Sequence, residues 1–298
     1  MIDFLDEPAV RSRLQLPALI ERMEKALMDF SAGRVTQPVR QFVNVDEHNG
    51  FFGLMPAVSD AMGIKLVTFY PDNGSKGLHT HHALILVFKP ETGEPQAVMD
   101  GRLITEMRTA AVSAAATRLL AAERTPVLTV LGAGLQGHAH VEALRCVRDF
   151  EEIRIWNRSP EKAEALAAEV GGRAIAGPTA EAAVRDADVV VTATAAKEPI
   201  LQGAWLKPGA HVNAVGWNGA DSRELDDAAM ANLVFVESLE AVADQCGDVR
   251  LSGCAITAEI GAALAAPDPA WRGQTTIFDS VGMAIEDVAA AQLVLEMA

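Results

Sequence analysis

The chain has 298 residues, enough for about two domains. Half are hydrophobic and 22% are charged, the balance of a globular protein with a sizeable core. A formal net charge of −15 excludes nucleic acid as the main partner, because phosphate binding needs a basic face. An aromatic content of 5% leaves no base-stacking platform. Tyr70, the single tyrosine, has Gly74 four residues on, which rules out the Tyr-x-x-x-Lys pair of short-chain dehydrogenases. Cys146, Cys246 and Cys254 are odd in number and lack a Cys-x-x-Cys spacing, so neither a disulfide framework nor a thiolate zinc site is expected. The opening Met-Ile-Asp-Phe-Leu-Asp-Glu is not a basic-then-apolar leader, and no uncharged run reaches bilayer length. The expectation is a cytoplasmic chain of a reducing compartment, with no membrane partner.

In chain order, residues 16–30 set Leu16, Leu19, Ile20, Met23 and Leu27 at helical spacing, and Gly33 follows as a stop. Residues 51–58, 64–70 and 83–90 read as strands. Glu91-Thr92-Gly93-Glu94-Pro95 reads as a turn into a further strand at 96–100. This is an α+β pattern with an antiparallel or mixed sheet. Residues 102–123 are Ala-rich without Gly or Pro and predict one long helix. After Pro126 the pattern changes. Strands at 127–134, 153–159, 186–194, 211–216 and 233–238 alternate with helices at 137–147 and 160–170, which predicts a doubly wound parallel sheet of the Rossmann type. The last stretch, 280–298, is again helical. The expected organisation is an α/β protein with an α+β substrate and dimerisation domain (1–120, with a returning segment 276–298) and a Rossmann domain (121–275).

The strand at 127–134 ends in the glycines that open Gly132-Ala133-Gly134-Leu135-Gln136-Gly137. A Gly-x-Gly-x-x-Gly after a strand and at the start of a helix points to a dinucleotide. The first glycine makes the tight turn, the second admits the pyrophosphate and the third packs helix on strand. The alternative is a glycine turn in an ordinary βα unit. At the tip of the next strand, where a carboxylate would bind the ribose hydroxyls of NAD, the chain reads Asn157-Arg158-Ser159. Arg158 can pair with a 2′-phosphate and Asn157 and Ser159 can donate to it, so NADP(H) is preferred and NAD(H) is possible. Thr192, Ala193, Thr194, Val215 and Gly216, at the carboxyl ends of later strands, complete the expected cofactor edge.

Three cations stand out in the first domain. Arg40 follows Gln37-Pro38-Val39, Lys65 interrupts an apolar strand, and Arg108 sits in the Ala-rich helix. Each is costly to bury unless it is paired or lines a site. His79 and His81 share one strand face, but no third metal ligand is evident, so no metal is expected.

The sequence resembles the ornithine cyclodeaminase/μ-crystallin family, and within it the ketimine reductase (μ-crystallin) branch. The resemblance is carried by Gln37-Pro-Val-Arg40, Lys65-Leu-Val-Thr-Phe-Tyr70, Ala97-Val-Met-Asp-Gly101, Ile104-Thr105 and Arg108-Thr-Ala-Ala-Val-Ser-Ala114. It continues through Leu131-Gly-Ala-Gly134, Arg154-Ile-Trp-Asn-Arg158, Glu198-Pro-Ile-Leu201, Lys207-Pro-Gly-Ala-His211, Asn213-Ala-Val-Gly216, Arg223-Glu-Leu-Asp-Asp227 and Ser280-Val-Gly-Met-Ala284 with Glu286-Asp287. It implies a homodimer. It also implies that Arg40 and Arg108 hold a substrate carboxylate, that Lys65 stands at the reacting carbon and nitrogen, and that Thr109 contacts cofactor phosphate. His82 and Asn218 are further candidates for substrate contact.

By the resemblance, cyclodeaminases carry an aspartate where this chain has Asn218, and an amide cannot act as that general base. Asp279 pulls the other way, since cyclodeaminases tend to have Asp there and μ-crystallin has lysine. The expected activity is NAD(P)H-dependent reduction of cyclic imino acids such as 1-pyrroline-2-carboxylate or 1-piperideine-2-carboxylate. The alternatives are ornithine cyclodeamination, alanine dehydrogenation, and a cofactor-dependent small-molecule binding protein with little turnover.

Overall fold

The computed structural model describes residues 2–216 and 219–297. The chain forms two compact units, Met1–Arg108 with Gly282–Ala298, and Thr109–Val281. The first begins with β1 (Asp3–Leu5), α1 (Glu7–Arg13), α2 (Leu16–Ser31), β2 (Gln41–Val45), β3 (Gly50–Val58), β4 (Met62–Phe69), β5 (His81–Phe88) and β6 (Pro95–Asp100). The six strands form one mixed sheet in the order β1-β6-β5-β4-β3-β2. β2 to β6 are an antiparallel meander, and β1 adds to the edge parallel to β6. Short turns permit the meander. At the β5–β6 turn Gly93 takes φ +73°, a left-handed conformation that suits glycine. Alternation sorts the side chains, with Met55, Ala57, Lys65, Val67, Ile85, Val87, Ala97 and Met99 buried on one face. β1, α1 and β2 are not predicted above. β1 has three residues, and in β2 four of the five are exposed, so neither leaves a clean pattern.

α3 (Gly101–Leu120) follows. The division between units falls inside it, at 108/109, rather than after it. Its second half is polar where the other elements of its own unit require. Ser113 is joined to His140 (2.9 Å), and Asn213 donates to the Thr117 hydroxyl (2.9 Å), all four side chains being buried. The Arg148 guanidinium donates to the carbonyls of Thr117, Arg118, Ala121 and Ala122, the otherwise orphaned end of the helix.

The second unit continues with β7 (Val127–Leu131), α4 (Leu135–Arg145), β8 (Glu152–Trp156), α5 (Pro160–Val170), β9 (Ala174–Ala176), α6 (Ala180–Val184), β10 (Val189–Thr192) and β11 (His211–Ala214). Then come α7 (Asp227–Met230), β12 (Leu233–Val236), α8 (Leu239–Gln245), α9 (Gly247–Ser252), β13 (Ile256–Glu259), α10 (Ile260–Ala265) and β14 (Thr276–Asp279). All eight strands are parallel, in the order β13-β12-β14-β11-β10-β7-β8-β9. This is a doubly wound α/β sheet. The strand order reverses between β7 and β10, so the loop after β7 opens at the topological switch point, where such sheets bind ligands. β10, β11 and β14 are buried throughout, as parallel strands covered on both faces must be.

β14 slots between β11 and β12, beyond the last strand that the sequence predicts. The chain then returns to the first unit at Gly282, later than the predicted 276, and ends in α11 (Ala284–Glu296). α11 packs on α2 and on β3, β4 and β5. Among the described residues no helix is long and apolar enough to cross a membrane.

Candidate active site

In the first unit, α11 brings Glu286 and Asp287 onto the face of the sheet that holds Lys65. Both carboxylates are fully buried, in the first turn of the helix, where free amides and the dipole favour negative charge. Lys65 on β4 is 2% exposed, and its Nζ stands 2.6 Å from Asp287 Oδ2. It also donates to the Thr105 hydroxyl at 3.4 Å. Arg108 on α3 donates from Nε to Asp287 Oδ1 (3.0 Å) and from Nη1 to Glu286 Oε2 (2.6 Å). Glu286 also accepts from the Met283 amide, capping its own helix. Arg40 donates to the Gly282 carbonyl at 2.7 Å, and the Ile285 amide donates to Gln37. The structure thus brings Arg40, Lys65 and Arg108 together around one acidic pair. Gly282 has φ +76°, and a Cβ there would lie 2.7 Å from the Arg108 guanidinium, so the position requires glycine.

Burial pushes the Lys65 ammonium down to about 8, with Asp287 opposing the shift and Arg108 and Arg40 adding to it. Burial pushes Asp287 up, but Arg108 and Lys65 outweigh it and hold the carboxyl below its ordinary value. At neutral pH the pair is therefore ionised on both sides, with a lysine poised close to releasing its proton.

The histidine loop corrects one expectation. His82 is exposed and on the opposite sheet face from Lys65, because β5 alternates and its buried residues are Ala83, Ile85 and Val87. His81 shares the Lys65 face. Burial and then Lys65 push its imidazole down to about 3, so it is neutral and available as a hydrogen-bonding group. His79 stands beside His82 (6.1 Å between ring centres). Asn218 lies outside the described residues.

In the second unit the glycine loop has the geometry a pyrophosphate needs. A Cβ on Gly132 (φ +121°) would lie 2.3 Å from the Ala193 carbonyl oxygen, and one on Gly137 would lie 2.1 Å from the Gly132 carbonyl oxygen. These two glycines let loop, strand end and helix close on one another. At Gly134 a Cβ would meet nothing within 4 Å. That side is open, and Gly134 is the N-cap of α4 with no side-chain cap, which leaves first-turn amides to an anion. Leu135 is exposed, and Gln136 Oε1 is buried with no partner among the described residues. Asn157 is committed to the loop itself, accepting from the Ala133 amide (3.2 Å) and donating to the Ser159 carbonyl (3.1 Å). It positions the loop rather than reaching for a phosphate, which leaves exposed Arg158 as the cation at that tip. Thr109 is buried.

Glu224, which the sequence did not single out, ties the carboxyl edge together. It accepts from the Thr194 amide (2.8 Å), the Thr194 hydroxyl (2.5 Å) and the Gly216 amide (2.9 Å). The Val215 amide donates to the Thr192 carbonyl (2.9 Å) and the Ala193 amide to the Leu131 carbonyl (2.8 Å). Thus Thr192, Ala193, Thr194, Val215 and Gly216 form one hydrogen-bonded rim. Behind it Asp248 accepts from the amides of Glu224 and Leu225, and Cys246 donates to Asp279. Burial raises Glu224 to about 7 and Asp248 to about 6; burial and then Asp248 raise Asp279 well above its ordinary value.

The comparisons with known proteins cover the whole chain. The ornithine cyclodeaminase/mu-crystallin family matches residues 3–298. The ketimine reductase mu-crystallin of Rattus norvegicus is 46% identical over 301 residues, covering 98% of this chain and 96% of that protein. The structure of Thermococcus litoralis Delta(1)-pyrroline-2-carboxylate reductase, in complex with NADH and L-proline, superposes with a TM-score of 0.94 at 33% identity, covering 100% of this chain and 97% of that one. An archaeal alanine dehydrogenase dimer with bound NAD superposes with a TM-score of 0.92 at 30% identity, covering 100% and 96%.

Proposed function

Because this chain belongs to the ornithine cyclodeaminase/mu-crystallin family, we propose that it is an NAD(P)H-dependent reductase of cyclic imino acids, acting on the C=N bond of ketimines such as 1-pyrroline-2-carboxylate or 1-piperideine-2-carboxylate. The observation that carries the reading is the buried set of Lys65 and Arg108 around Asp287, with Arg40 beside it, in a chain that also holds an open dinucleotide loop. Buried cations of this kind fit a small anionic substrate. Arg40 and Arg108 hold its carboxylate, since a guanidinium fork bonds both oxygens. The Lys65 ammonium donates to the imine nitrogen. Protonation makes the neighbouring carbon electrophilic, and a proton donor serves best with a pKa near the working pH. His81, neutral on the same face, is a further hydrogen-bonding partner for the substrate.

The nicotinamide dinucleotide, when bound, supplies a hydride to that carbon. On gaining that hydride the carbon would form a C–H bond, the C=N π pair would become the amine lone pair, and the proton from Lys65 would stay on nitrogen. The Gly132–Gly137 loop and the α4 amides hold the pyrophosphate, with Thr194 and Gly216 on the rim that Glu224 fixes. Thr109 is a further phosphate contact. Arg158 favours NADP(H) over NAD(H) by pairing with a 2′-phosphate.

The molecule works as a homodimer in a reducing, cytoplasmic compartment. The outward face of the six-stranded sheet supports the dimer. Phe4, Val98, Leu86, Ile64 and Pro56 form one cross-strand row, and Leu84, Leu66 and Leu54 form another. Phe4 is 72% exposed and Leu84 43%, an apolar face that a second copy would cover. The three free cysteines support the compartment.

NADPH oxidation with a panel of cyclic imino acids of different ring size tests the reading. Turnover of at least one member, dependent on Lys65, is expected. A folded protein that oxidises NADPH with none of them contradicts it.

A further inference from the structure

Among the described residues Lys65 bonds only Asp287 and Thr105. The charged groups facing it come from several elements. Arg108 on α3 and Arg40 on the segment before β2 are both cations, His81 on β5 is neutral, and Asp287 on α11 is the carboxylate at bonding distance. Two cations and burial all favour loss of the lysine proton, so one carboxylate holds it in place. The same carboxylate bonds Arg108 at Nε, while the neighbouring Glu286 takes Arg108 Nη1. The two adjacent acids of α11 therefore have separate duties. Glu286 anchors Arg108 and caps the helix. Asp287 bridges Arg108 to Lys65.

We infer that Asp287 is a positioning residue for the reduction, holding the Lys65 ammonium protonated and aimed, so that the last helix of the chain sets the pH range in which the imine receives its proton. The inference rests on the reductase reading above. An opposite charge within about 4–6 Å favours the charged form by about 1–3 pH units. Removing it should move the alkaline limb of kcat/KM, where the lysine loses its proton, to lower pH by that amount. A carboxylate that merely packed the helix would lower activity equally at all pH values.

The test uses the full chain with its lysines labelled at Cε with 13C. Seven signals are expected, and Lys65 is assigned by its loss in Lys65→Arg. Lys65 is titrated by NMR, and kcat/KM with NADPH and a cyclic imino acid is measured over the same range. In Asp287→Asn the lysine titration and the alkaline limb should move down together by about 1–3 units. Asp287→Glu, which keeps the charge, should restore both. A folded Asp287→Asn protein in which neither moves overturns the inference. If that variant does not fold, Lys65 must still be protonated at neutral pH in the parent and in Asp287→Glu, and a neutral lysine in either overturns it. The titration needs no turnover, so failure of the reductase reading, an enzyme inert to every imine, is seen separately.

Discussion

Gly134→Ala is expected to separate cofactor binding from stability, and Gly137→Ala to do the reverse. Gly134 has φ −97° and ψ −169°, extended backbone that alanine adopts freely, and the added methyl meets nothing within 4 Å. Stability should therefore change by about 0.5 kcal/mol or less, as for an ordinary surface substitution. The methyl does occupy the space through which a pyrophosphate approaches the α4 amides. A lost or lengthened contact there should weaken NADPH binding about 10- to 100-fold, or about 1.4–2.8 kcal/mol. At Gly137 the same methyl lies 2.1 Å from the Gly132 carbonyl oxygen and 3.1 Å from its carbon, so backbone must shift. Forced overpacking of this kind costs about 1–3 kcal/mol. Urea unfolding gives the stabilities, and NADPH titration by calorimetry gives the affinities. A Gly134→Ala protein that binds NADPH like the parent, or that unfolds as early as Gly137→Ala, refutes the placement of the pyrophosphate.

Other consequences are as definite. Arg158→Ala should weaken NADPH binding about tenfold or more while leaving NADH nearly unchanged, since a charge-assisted pair to the 2′-phosphate contributes about 1.5–3 kcal/mol; equal losses for both cofactors would remove Arg158 from that role. Burial raises Glu224 from 4.5 to about 7, so the native state binds the proton more tightly than the unfolded chain. Its contribution to stability is full at low pH and falls as pH rises from about 4.5 to about 7. Glu224→Gln should flatten that part of the stability profile in urea unfolding and, by setting an amide donor against the Thr194 or Gly216 amide, lower stability by about 1–3 kcal/mol; an unaltered slope would show that Glu224 does not titrate there. Leu84→Lys places a charge on the outward sheet face and should halve the mass seen by sedimentation without unfolding the chain; an unchanged mass would exclude that face as the dimer contact.

Much of this was legible in the residues, and what was not has physical causes. The parallel sheet could be read because strands such as Val189–Thr192 are continuous apolar runs between helices, and α5 because Pro160 starts it and Gly171 ends it. β14 was missed because four residues between glycine-rich and polar segments carry no period, and its place between β11 and β12 is a tertiary fact. His82, a candidate for substrate contact, turns to the sheet face opposite Lys65. In His81–Phe88 six successive residues are apolar, so the sequence sets no phase, and only pairing with β4 fixes which side chains turn inward.

The cations of the site announced themselves as charges in apolar elements. Their anions did too, in Glu286-Asp287 at the start of a mostly apolar helix, but matching the two sets needs the fold. An acid pair entering a helix with ten buried residues must meet cations, and that rule would have joined Asp287 to Lys65 and Arg108. Glu224 had no such signal, since it sits in a polar loop and is buried only once the chain has folded around it.

The central claim is that hydride passes to the carbon of a cyclic C=N bond. Reaction of a cyclic imino acid with NADPH deuterated at nicotinamide C4 tests it most directly, with the product read by mass and by NMR. The account predicts one deuterium on the ring carbon bearing the carboxylate, from one face of the nicotinamide. A product without that label, or cofactor oxidation with no deuterated cyclic amino acid, would contradict it.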